Sequence, residues 1–139
     1  MQQQQAKAQV GFVLFERGLG GGIVAVFAQG LQRHHGGDAV FDAQAAQTTE
    51  ARKNWISVLD KITALNPEIV IPAHAKSDSP FDMTAVNHTK TYIQFYEEAL
   101  KTNTTSEALI TALKTKYPTL TFETGLQIGA KVNTGEMKW

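Results

Sequence analysis

The sequence predicts an α/β fold of short strands with flanking helices. Three observations predict it. Residues 1–47 hold two short apolar runs rich in β-branched and aromatic residues, parted by glycines. An apolar stripe at helical spacing then ends at Asn66-Pro67 and leads into a second kind of apolar run, Glu68-Ile-Val-Ile71. Two further helical stripes follow, the second closed by Pro118. Alternation of strand-like and helix-like segments is the pattern of layered α/β architecture.

Taken in order, Gly11-Phe-Val-Leu-Phe15 and Ile23-Val-Ala-Val-Phe27 are the first two predicted strands, and Gly18 to Gly22 between them is a glycine turn. Gly36-Gly37 precedes Asp38-Ala-Val-Phe-Asp42, a third short strand by the same reading. Trp55, Val58, Leu59, Ile62 and Leu65 form one helical stripe. Thr48 or Thr49 caps that helix, with Glu50 favourable in its first turn. Asn66 ends it, because a residue before proline is pushed out of the helical region. Glu68 to Ile71 reads as a buried strand stopped by Pro72.

A polar loop from Lys76 to Asp82 leads to a helix over about 83–101, with Val86, Ile93, Tyr96 and Leu100 on one side. A helix over about 106–116 turns Leu109, Ile110 and Leu113 inward. A last helix is predicted over about 122–132, where Gly125 and Gly129 permit close packing at some cost in helix propensity. No internal repeat is present. The chain divides by texture into a Gln-, Gly- and Ala-rich segment, 1–47, and a periodic region, 48–139.

Composition excludes several function classes. Thirteen basic residues balance thirteen acidic ones, so charge gives no reason to expect nucleic acid or an anionic membrane as partner. Without cysteine there is no disulfide, thiolate zinc site or cysteine nucleophile, and a metal would be held by His, Asp or Glu. The glutamine-rich start lacks the apolar stretch of a secretory signal, and no apolar run approaches the roughly 20 residues of a membrane span. A soluble, cytoplasmic chain is expected. Gly18-Leu-Gly-Gly-Gly22 lacks the Lys-Ser/Thr ending of a phosphate loop, and no serine-nucleophile motif is present.

The segment Trp55-Ile-Ser-Val-Leu-Asp-Lys-Ile-Thr-Ala-Leu-Asn-Pro-Glu-Ile-Val-Ile-Pro-Ala-His74 resembles the late part of metallo-β-lactamase-fold hydrolases. There, a leucine- and tryptophan-bearing helix passes through a proline turn into a strand ending in Pro-Gly-His-Gly. The Tyr92 helix, the Lys116-Tyr117-Pro118 break and the Gly135-Glu136-Met137-Lys138-Trp139 finish are similar to one subgroup. The resemblance covers about 50–139. It implies the C-terminal half of an αββα sandwich with a metal site at the strand ends. His74 maps onto the family's metal ligand, and neutral imidazole suits zinc or iron; the resemblance implies zinc or another divalent metal, iron or manganese. Asp38 maps onto the bridging aspartate, with Asp42 its rival and a turn aspartate the plainer reading of either. His34 and His35 are adjacent and would point to opposite sides of a strand; a loop could bring both to one metal, but two solvated neighbours are the plainer reading. His88, at i−4 from Tyr92, reads as a surface or packing residue.

The sequence departs from the family in two ways. Ala73 and Ala75 replace the glycines around His74, and no His-x-His-x-Asp-His run exists in the chain. The expectation is a truncated metal-dependent hydrolase, of the kind that cleaves ester, lactone or thioester bonds, inactive as this chain alone. It would take a small-molecule substrate only if the site were complete, and would hold one of those metals or none. The alternative is a non-catalytic, metal-free oligomeric or binding domain. A homodimer is expected on either reading, because zero net charge and uncovered apolar stripes favour pairing of copies.

Overall fold

The computed structural model describes residues 13–17, 23–27, 46–72, 78–119 and 123–138. These residues are helix-rich, with four helices and one three-stranded sheet. In chain order they run β1 (Val13–Arg17), β2 (Ile23–Phe27), α1 (Thr49–Leu65), β3 (Ile69–Pro72), α2 (Thr84–Thr102), α3 (Ser106–Lys116) and α4 (Glu123–Asn133). The predicted third strand over 38–42 lies outside the described residues.

The sheet order is β1-β2-β3. β1 and β2 are antiparallel, with Val13 opposite Phe27 and Arg17 opposite Ile23. β2 and β3 are parallel, with Val24 opposite Ile69 and Phe27 opposite Pro72. Parallel neighbours require a crossover, and α1 lies within this one. The other edge of β3 is met by the chain before α2, where Val70 N–H donates to the Phe81 carbonyl at 3.1 Å.

α1 forms where its caps and stripe dictate. The Thr48 hydroxyl accepts from the Ala51 N–H at 3.1 Å and satisfies one orphan donor of the first turn. At the other end Asn66 adopts φ 45°, left-handed, and its N–H donates to the Thr63 carbonyl. Asparagine tolerates that region better than most residues, and Pro67 behind it bars further helix. α3 repeats the device, with the Thr105 hydroxyl accepting from the Ala108 N–H at 3.3 Å.

α2 is the hub, packing against α1, α3 and β3, while α4 packs on α3. The core joins Leu59 and Ile62 of α1, Val70 of β3, Val86, Ile93 and Tyr96 of α2, Leu109 and Leu113 of α3, and Ala130 of α4. Each large aliphatic side chain here stabilises the fold by about 1.5–3 kcal/mol relative to exposure. The predicted stripes of α2 and α3 therefore face inward, with Leu100 and Ile110 packed at their margins.

Two expectations are corrected. Leu65, placed on the inner stripe of α1, is the last residue of that helix and is 43 % exposed. β3 is not buried throughout: Val70 is fully buried, whereas Ile69 and Ile71 are 42 % and 38 % exposed. Successive strand residues point to opposite faces, and only the Val70 face meets α2. Pro72, read as a strand stop, is the last residue of β3.

Candidate functional site

The sequence places its candidate ligand just beyond β3. Helix α1, the left-handed Asn66, the buried Pro67 and the paired strand form a short rigid unit whose last residue precedes His74 by two positions. His74 itself lies outside the described residues, as do Asp38, its rival Asp42, and His34 and His35.

Within the described residues no three His, Asp or Glu side chains converge to hold a metal ion. His88, the one histidine among them, is in aromatic surroundings. Its ring lies 5.7 Å from that of Tyr117, edge-on, and 6.5 Å from that of Tyr92. Tyr92 and Tyr117 lie 5.1 Å apart, and Phe95 packs edge-on against Tyr117 at 5.8 Å. Burial in this cluster disfavours the imidazolium and lowers the His88 pKa. Burial likewise raises Tyr92 and Tyr117, so both phenols stay protonated at neutral pH. His88 of α2 thus packs against the end of α3.

The polar centre that the described residues do contain was not among the expectations from the sequence. Arg52, 5 % exposed, sits where α1, α2 and α4 meet. Its Nε donates to Glu97 Oε2 in an ion pair. Its Nη1 donates to the Ala46 carbonyl at 2.9 Å and to Asn133 Oδ1 at 2.7 Å. Thr49 donates to the other Glu97 oxygen at 2.8 Å. Burial alone would raise the Glu97 pKa, but hydrogen bonds from Arg52 and Thr49 with the guanidinium charge outweigh it and hold the carboxyl low. Asn133 Nδ2 and the Tyr96 hydroxyl both donate to the Gly129 carbonyl, at 2.9 and 3.1 Å. One sequence signal pointed here: carried back one turn, the stripe Trp55, Leu59, Ile62 lands on Arg52.

A second polar contact closes the far end. Glu136 accepts from the Ser106 N–H and hydroxyl, both at 2.6 Å, and so caps α3 from the chain that follows α4. The Ser106 hydroxyl and N–H hold its pKa down, and the carboxylate also complements the helix dipole. Gly135 at φ 80° makes the turn that brings Glu136 back, with Glu136 and Met137 N–H both donating to the Lys131 carbonyl. No described helix is long and apolar enough to cross a membrane.

Scans of protein-family profiles, curated proteins and solved structures find no match to this chain.

Proposed function

We propose that residues 48–139 form the later part of a metal-dependent hydrolase of the metallo-β-lactamase type, an αββα sandwich when whole. In this reading His74 is the strand-end ligand, and Asp38 or Asp42 is its acidic partner. The observation that carries the reading is the unit α1–Asn66–Pro67–β3, which ends two residues before His74 and lies beside a parallel strand. Zinc, iron or manganese would act there by polarising the scissile bond or lowering the pKa of a bound water. The protein's own part would be to present the His74 imidazole from a fixed strand end.

The ligand set in these 139 residues is short. His74 and one aspartate are two ligands, whereas a catalytic zinc typically takes three protein ligands and an open position. The chain alone therefore does not hydrolyse esters, lactones or thioesters. The test is turnover of an ester and a lactone with added zinc, iron or manganese, beside metal content after purification without affinity metal. The expected result is substoichiometric metal and rates equal to those of His74→Ala. Robust metal-dependent turnover that His74→Ala abolishes would overturn the claim of inactivity. A second reading, a metal-free domain that associates with other chains, is supported by the exposed apolar side chains of Leu65, Ile69, Ile71 and Phe81.

A further inference from the structure

We draw no further inference here: the strongest candidate, the apolar surface patch of Leu65, Ile69, Ile71 and Phe81 where α1 ends and β3 runs, carries nothing because nothing in the structure shows what covers it.

Discussion

Replacing Arg52 with alanine removes a cation of α1 that binds Glu97 of α2, Asn133 of α4 and the Ala46 carbonyl before α1. The Ala46 carbonyl, on a residue 1 % exposed, loses the Arg52 donor at 2.9 Å. A buried acceptor left unpaired costs about 1–3 kcal/mol. Asn133 Oδ1 loses its 2.7 Å bond, but Asn133 is only partly buried, so water can replace part of it. Glu97 loses its ion-pair partner, yet its side chain is 23 % exposed and keeps some hydration. Breaking a fully buried pair costs about 3–5 kcal/mol. The reach of Glu97 to solvent places this variant near the lower end, about 3 kcal/mol. Urea unfolding at neutral pH, followed by far-ultraviolet circular dichroism, measures it. Arg52→Lys keeps the charge but not the planar fork, and is expected to lose most of the same stability. The acid limb adds a second readout. The Glu97 pKa is lowered in the fold, so its stabilisation is present above the unfolded value and fades as pH falls through the folded one. That limb, below about pH 4.3, should be shallower in Arg52→Ala than in the parent. A loss under about 1 kcal/mol in both variants, with an unchanged acid limb, would refute the reasoning.

Two further outcomes are expected. The fold favours neutral His88, so stability should decline as pH drops from about 6.5 toward its lowered folded pKa, and His88→Gln should flatten that decline. An identical slope in the variant would assign it to other groups. Glu136→Gln should speed amide hydrogen exchange at Ser106, whose N–H it accepts, while leaving the centre of α2 protected. Unchanged protection at Ser106 would show that the cap contributes nothing.

The legible parts of the fold were those set by local chemistry. The helix ends at Thr48 and Asn66 follow from a hydroxyl that can accept and a proline that cannot continue, and both are found where the residues stand. The inward positions Leu59, Ile93, Leu109 and Leu113 follow from a 3.6-residue period. Exposure of Ile69 and Ile71 could not be read this way. A run of apolar residues looks the same whether one face or both are covered, and coverage is decided by distant segments. The Arg52–Glu97 pair joins positions 45 residues apart, and the Ser106–Glu136 cap joins positions 30 apart. Neither separation leaves a local period. For the site, the strand leading to His74 was legible. The acidic partner proposed for it was not: Asp38 and Asp42 sit in a short Gly- and Ala-rich stretch that offers no long pattern to place them.

In the proposed reading, His74, two residues past β3, is a metal ligand. Paramagnetic broadening by cobalt(II) tests it most directly, read on the imidazole signals of all four histidines in labelled protein. His74 should broaden first, ahead of His34, His35 and His88, and Asp38→Asn or Asp42→Asn should weaken the effect. Broadening that begins at His88 or at the His34-His35 pair, or that strikes all four alike, would contradict it.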